Sequence, residues 1–125
     1  MTESAQKTIL IIEDEHQLRT VVALMLEKAG FKVLEAAQPS EASNVWRQNS
    51  QRIDLIVADV WLPGISGPEL ASFFRRERPD VKTVFMTGLK PEGAEFGKLV
   101  RGAEIVAKPF TPEELVGAVQ RALAP

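Results

Sequence analysis

Short apolar runs alternate with longer amphipathic stretches along this 125-residue chain. The runs are rich in β-branched residues, as buried strands are. The stretches between them carry apolar residues at the i, i+3, i+4 and i+7 spacing of helices that bury one face. Strands that alternate with helices form parallel sheets covered by helices. We therefore predict an α/β fold in one domain over 1–125, with strand–helix units over about 8–30, 31–50, 53–78, 81–102 and 104–123.

The bounds of these elements follow from the apolar runs and from residues that start or stop helices. Strands are predicted at Thr8–Ile12, Phe31–Ala36, Asp54–Asp59, Val81–Met86 and Glu104–Ala107. Gly30 is expected to end the first helix, and Pro68 suits the first turn of the third. Thr111 and Glu114 form a capping box before the last helix. A fourth helix over 88–102 is expected to be the least stable, because this stretch holds a proline and several glycines.

Helical spacing also predicts which side chains are buried. The first helix is expected to bury Leu18, Val21, Val22, Met25, Leu26 and Ala29. The later helices are expected to bury Ala42, Val45 and Trp46; Leu70, Phe73 and Phe74; and Leu115, Ala118, Val119, Ala122 and Leu123.

The charge balance and the lack of cysteine exclude several classes of function. Fifteen Lys and Arg residues against 17 Asp and Glu residues give a net charge of -2, which predicts no direct binding to nucleic acid or to a membrane. A chain without cysteine has no disulfides and no thiolate metal site. The apolar run Ile9–Ile12 is far shorter than the roughly 20 residues of a membrane span. We expect a cytoplasmic protein.

Charged and polar residues stand where the predicted strands end. Glu13 and Asp14 follow the first strand, Asp59 ends the third, Thr87 follows the fourth and Lys108 follows the fifth. Ligands of open parallel sheets bind beyond the carboxyl ends of the strands, so these side chains are expected to meet at one edge. Clustered carboxylates repel one another unless a cation lies between them, and an oxygen donor set favours Mg²⁺ or a similar divalent ion.

These residue types together favour phosphoryl chemistry. Mg²⁺ usually takes few protein ligands, which leaves room for phosphoryl oxygens beside Lys108 and Thr87. A carboxylate can act as the nucleophile and form an aspartyl phosphate. Asp59 is the best candidate, because its strand holds it in the middle of the cluster.

The same motifs, taken in order, resemble the receiver domain of bacterial response regulators over nearly the whole chain. They comprise Glu13-Asp14, Asp59 followed by Leu62-Pro63-Gly64-x-x-Gly67, Met86-Thr87-Gly88 and Lys108-Pro109-Phe110. The resemblance implies a flavodoxin-like (βα)5 three-layer sandwich whose five-stranded parallel sheet has the order 2-1-3-4-5. The family thereby suggests a signalling protein of the two-component type.

The resemblance also implies the reaction and the partners. Asp59 would accept a phosphoryl group from the phosphohistidine of a histidine kinase or phosphotransfer protein. The domain would then contact a downstream protein target, as a monomer or weak dimer. It would not be an enzyme with a separate substrate, since only phosphoryl acceptance and slow self-dephosphorylation are implied.

Individual roles carry over residue by residue. The metal, Mg²⁺ or Mn²⁺, would be held by Asp14, Asp59 and the main-chain carbonyl of Trp61, with Glu13 assisting through water. Thr87 would follow the phosphoryl group. Lys108 would pair with Asp59 before phosphorylation and with phosphate afterwards, and the Lys108–Pro109 bond is expected to be cis.

Two departures from the family pattern change the expectations. Ile105 stands where the family usually has the Tyr or Phe that moves as Thr87 engages phosphate, so the usual aromatic switch is in question. Trp61 and Leu89 lie two residues beyond Asp59 and Thr87, where polar side chains could position a hydrolytic water. We therefore predict slow self-dephosphorylation.

Two alternative functions stay open. Ile105 is compatible with a receiver-like module that binds proteins without switching, although Asp59, Thr87 and Lys108 argue against it. The chain could also be the receiver fragment of a hybrid histidine kinase. A haloacid-dehalogenase-type enzyme is disfavoured, because that site needs a second Asp where Trp61 stands.

Overall fold

The computed structural model describes residues 6–88, 100 and 102–125, which form one five-stranded parallel sheet with helices on both faces. The strands are β1 (Thr8–Ile12), β2 (Lys32–Ala36), β3 (Ile53–Asp59), β4 (Lys82–Thr87) and β5 (Glu104–Ala107). The helices in the described part of the chain are α1 (His16–Lys28), α2 (Pro39–Asn49), α3 (Gly67–Glu77) and α4 (Pro112–Leu123). The predicted helix over 88–102 falls almost wholly outside the described residues.

The order of the strands confirms the predicted topology. The sheet runs β2-β1-β3-β4-β5, and all its neighbouring strands are parallel. β1 and β3 are therefore adjacent at the centre, and every residue of β1 is buried. The chain adopts the predicted flavodoxin-like sandwich, with one apolar cluster on each face of the sheet.

Two packed layers hold the sheet. On one face, Trp46 of α2 stacks on Phe74 of α3 with ring centroids 4.7 Å apart, above Leu10 and Ile56 of the sheet. On the other face, α1 and α4 cover the remaining strand side chains through Leu26 and Leu115 and their neighbours. Burial of apolar area at roughly 25 cal/mol per Å² makes these two layers the main source of stability.

Three predictions about buried side chains are wrong. Val21 in α1 is 44% exposed, Phe73 in α3 is 51% exposed, and Ala29, which directly follows the last residue of α1, is exposed. The buried face of α3 is formed by Leu70, Ala71 and Phe74, and Phe73 points about 100° away from Phe74, which leaves it outside this face. Phe74 occupies the core, whereas Val22 and Ala23 rather than Val21 line the buried face of α1.

The predicted helix ends agree with the structure. Gly30 has φ +98°, a conformation that glycine adopts readily, and its N–H donates to the carbonyl of Glu27. Thr111 caps α4, and its hydroxyl accepts a hydrogen bond from the Glu114 N–H. Within the described residues, no helix is long and apolar enough to cross a membrane.

Candidate functional site

Three carboxylates meet at the carboxyl end of the sheet. Asp59 is the last residue of β3, and Glu13 and Asp14 directly follow the neighbouring strand β1. One oxygen from each lies within 4.8 Å of the other two; Glu13 and Asp59 are buried, while Asp14 is exposed. The strand order thus brings together acids that are 45 residues or more apart in the sequence, as predicted from the strand ends.

Lys108 places a positive charge between two of these acids. Its Nζ donates to Oδ2 of Asp59 at 2.8 Å and to Oε1 of Glu13 at 3.2 Å. The backbone N–H of Lys108 donates to the carbonyl of Thr87 at 2.8 Å, which fixes the residue beside the end of β4. The Lys108–Pro109 peptide bond is cis, as the family resemblance implies.

Glu13 is the most perturbed acid of the site. Burial is the largest effect and raises its pKa, and the negative charge of Asp59 raises it further. The hydrogen bond from the Glu15 N–H and the positive charge of Lys108 lower it. The net result is a rise in the pKa of Glu13 from 4.5 to about 7. Burial by itself would lower the pKa of Lys108, but hydrogen bonds and attraction to Asp59 and Glu13 raise it overall. The ammonium therefore stays charged while Glu13 can hold a proton near neutral pH.

Arg19 of α1 was not predicted to belong to the site. Its Nη1 donates to the main-chain carbonyl of Glu13 at 2.8 Å, and its Nε lies 3.3 Å from a carboxylate oxygen of Glu35. It thereby ties the loop that carries Glu13 and Asp14 to both α1 and β2. No local sequence signal marks Arg19, because its partners are set by the packing of separate elements.

The loop after β3 closes tightly around Asp59. The N–H of Trp61 donates to Oδ1 of Asp59 at 3.1 Å, while the Trp61 side chain is 51% exposed. The N–H of Gly67 donates to the carbonyl of Val60 at 2.8 Å. A Cβ on Gly67 would lie 2.1 Å from the Asp59 carbonyl oxygen, so only glycine allows this approach.

A second capping box starts α3 directly behind this loop. The hydroxyl of Ser66 accepts from the Glu69 N–H at 3.1 Å, and the Glu69 carboxylate accepts from the Ser66 N–H at 3.3 Å. This capping box is not among the predictions made from the sequence, although its Ser-x-x-Glu signal is present there.

The predicted switch residues lie on adjacent strands. Thr87 is completely buried at the end of β4, next to Ala107 of β5 in the register. Ile105 is partly buried opposite Phe85 and packs against the apolar cluster under α2 and α3. Leu89 lies outside the described residues. The roles of Thr87 and Ile105 in switching stay predictions.

The oxygen donors of this pocket fit a hard divalent cation. Glu13, Asp14 and Asp59 each offer a carboxylate oxygen, and such a charge-dense set suits Mg²⁺ better than a soft metal. Asp14 is exposed, so water could remain on a bound ion. In the same pocket the Asp59 carboxylate lies 2.8 Å from the Lys108 ammonium, whose positive charge would stabilise the negative charge of a phosphoryl group placed there.

Comparison with known proteins agrees with this geometry. The model of the response regulator receiver domain matches residues 9–120. The chain belongs to this family. It is therefore a receiver domain of the two-component type, as the strand-end motifs predicted.

Three known proteins illustrate the range of relatives. The phosphate regulon transcriptional regulatory protein PhoB of Pseudomonas aeruginosa is 38% identical over 120 residues, covering 94% of this chain and 52% of that protein. Sensor kinase CckA of Brucella abortus is 31% identical over 128 residues, covering 96% of this chain and 13% of that kinase. The structure of chemotaxis protein CheY4 of Vibrio cholerae superposes with a TM-score of 0.83 at 30% identity, covering 95% of this chain and 100% of that one.

The chain thus spans about half the length of PhoB and a small part of CckA, but all of CheY4. Receiver domains therefore occur in relatives with quite different overall lengths.

Proposed function

We propose that this receiver domain accepts a phosphoryl group on Asp59 from the phosphohistidine of a histidine kinase or phosphotransfer protein. The observation that carries the proposal is the meeting of Glu13, Asp14 and Asp59 within 4.8 Å, with Lys108 Nζ 2.8 Å from Asp59. A downstream protein would read the phosphorylated state through protein–protein contacts. We propose further that the domain acts in the cytoplasm as a monomer or weak dimer and does not itself bind nucleic acid or membrane.

In this reaction an Asp59 carboxylate oxygen bonds to phosphorus as the P–N bond of phosphohistidine breaks, and its electron pair returns to the imidazole. Lys108 stabilises the added negative charge on the phosphoryl oxygens, and the Thr87 hydroxyl is the second group proposed to contact them. The N–H of Trp61 orients Asp59 through its bond to Oδ1. The domain catalyses only its own modification and has no separate substrate to turn over.

Asp14, Asp59 and the Trp61 main-chain carbonyl are the proposed ligands of Mg²⁺ or Mn²⁺, with Glu13 assisting through water. Such an ion would supply charge neutralisation between carboxylate and phosphoryl oxygens. The acids fit this role because Lys108 alone cannot balance three carboxylates.

Intact-mass measurement with acetyl phosphate tests the proposal. With Mg²⁺ the natural chain should gain about 80 Da, one phosphoryl group, and should gain nothing with EDTA. Asp59→Asn should not gain this mass, whereas Asp80→Asn, which removes an exposed acid far from the site, should gain it fully. An equal gain in Asp59→Asn, or none in the natural chain while Mg²⁺ binds, would contradict the proposal.

We further propose that the aspartyl phosphate is long-lived. Trp61, which is half exposed beside Asp59, offers no side-chain oxygen or amide to hold a hydrolytic water. Trp61→Gln should shorten the half-life several-fold, measured as loss of the added mass after removal of acetyl phosphate. A half-life of seconds in the natural chain under native conditions would refute this.

A second candidate context is the receiver segment of a hybrid histidine kinase. The match to sensor kinase CckA favours it, because that relative holds a similar segment within a much longer chain. The chemistry at Asp59 would be the same, but the phosphodonor would be part of the same polypeptide. A third candidate, a protein-binding module that does not switch, is favoured only by Ile105, and a null result in the mass experiment would support it.

A further inference from the structure

Three cations at the amino-terminal end of the sheet, opposite Asp59, form no ion pair within the described part of the chain. They are Arg75 and Arg76 of α3 and Lys82 at the start of β4, all exposed. Their positive charge is a local surplus in a chain whose net charge is -2.

The acids in the same region are engaged inside the chain. Glu77 accepts a 2.6 Å hydrogen bond from Trp46, and Asp80 lies 3.4 Å from Arg78. Glu104 pairs with Arg121 at 3.0 Å. Although Asp80 lies near Lys82, it is already bonded to Arg78, so the cations remain available to an external carboxylate.

An exposed aromatic ring lies beside one of these cations, Arg76. Phe73 is 51% exposed, and the guanidinium of Arg76 lies 5.2 Å from the centroid of its ring. A half-exposed Phe beside arginine combines apolar contact area with charge, and both residue types are enriched in the buried centres of protein interfaces. The ring is not needed by the core, because Phe74 fills that place.

Two depressions lie side by side on this surface. One of about 250 Å³ is lined by Arg75, Pro79 and Lys82, and the other of about 320 Å³ is lined by Arg75, Arg76 and Pro79. Both are lined by Arg75 and Pro79, so they lie next to each other. Two neighbouring depressions that each present a cation suit several residues of a chain better than a single inorganic anion.

We propose that this surface, defined by Phe73, Arg75, Arg76, Pro79 and Lys82 and called the basic α3 surface, binds an extended acidic segment of a partner protein. The partner's carboxylates would meet Arg75 and Lys82, and an apolar side chain of the same segment would pack on Phe73. Glu104 and Asp80 border the surface, which favours a short acidic peptide over a long polyanion. The proposal does not depend on phosphorylation of Asp59.

Fluorescence anisotropy of a short labelled peptide, mostly Asp and Glu with one Phe, tests this binding on the unphosphorylated full chain. Arg75→Glu combined with Lys82→Glu should weaken binding about tenfold, and Phe73→Ala should weaken it several-fold. Lys28→Glu combined with Lys32→Glu, which makes the same charge change at exposed positions on α1 and β2, should leave it unchanged. Higher salt should weaken binding of the natural chain.

Three results would overturn the proposal: no salt-sensitive binding of the peptide, equal losses in the two double variants, or tighter binding of an oligothymidylate of matched charge. The last result would indicate a single-stranded nucleic acid as the occupant. Because all the substituted residues are exposed, circular dichroism should show that the variants fold like the natural chain. Phe73→Ala tests the same surface without changing its charge. The mass gain at Asp59 is measured separately, so failure of either proposal leaves the other intact.

Discussion

At the scale of single residues, Glu13 links the electrostatics of the site to the stability of the fold. Its side chain is 1% exposed, and burial raises its pKa from 4.5 to about 7. In the unfolded chain Glu13 loses its proton near pH 4.5, whereas in the folded chain it keeps the proton up to about pH 7. Between these values the folded state binds more protons, so its stability falls as the pH rises through this window.

We therefore expect the loss of the Glu13 proton to lower the free energy of unfolding by on the order of 1 to 3 kcal/mol as the pH rises from about 4.5 to about 7 in the absence of metal. Urea titrations in EDTA at several pH values would measure it. Glu13→Gln should lose this part of the pH dependence, and Glu27→Gln, at an exposed position on α1, should keep it. Identical pH profiles for Glu13→Gln and the natural chain would contradict the assigned pKa.

At the scale of elements, the start of α3 depends on how closely it approaches β3. The Gly67 N–H bonds to Val60, and its Cα faces the main chain of Asp59. The capping box of Ser66 and Glu69 then fixes the first turn of the helix. The end of β3 and the start of α3 are therefore one rigid unit, which holds the Asp59 carboxylate in place.

Substitution of two glycines tests this unit. Gly67→Ala should lower the free energy of unfolding by roughly 3 kcal/mol or more, because its Cβ would overlap the Asp59 backbone at 2.1 Å. Gly117→Ala in α4 is the matched control, since its Cβ would meet only the end of the Arg121 side chain, at 3.3 Å. Alanine there should stabilise the helix by about 0.5–1 kcal/mol. Chemical denaturation would measure both, and similar effects in the two variants would refute the steric argument.

At the scale of the whole molecule, the site lies where the two central strands end, so binding there acts on the entire sheet. β1 and β3 are almost fully buried and each pairs with strands on both sides. Asp59 ends one of these strands and Glu13 directly follows the other, so the two buried acids stay together while the central pair is intact. Any cation that binds them in the folded state therefore stabilises the global fold by mass action.

Thermal and urea unfolding with Mg²⁺ should show this linkage. At a free concentration about 100 times the Kd, Mg²⁺ should add about 2.7 kcal/mol to the free energy of unfolding. Asp14→Asn removes an exposed acid of the cluster and should reduce this gain, whereas Asp80→Asn should retain it. A gain of the same size in Asp14→Asn would show that Mg²⁺ acts elsewhere.

The sequence by itself determined the order of strands and helices and the residues at their ends. Apolar periodicity, the capping box at Thr111 and the glycine stop at Gly30 are local signals, because each depends on residues within a few positions. The proximity of the acids at the strand ends could also be predicted from the sequence, because the last residues of parallel strands lie at the same edge of the sheet.

Only the tertiary structure decided which of two adjacent apolar residues is buried and how strongly each acid is perturbed. Phe74 rather than Phe73 faces the core because Trp46, from another helix, provides its stacking partner. The pKa of Glu13 and the bond from Arg19 to its carbonyl likewise depend on groups brought together by folding. Burial and Coulomb energy vary with distance in space, which a sequence pattern does not contain.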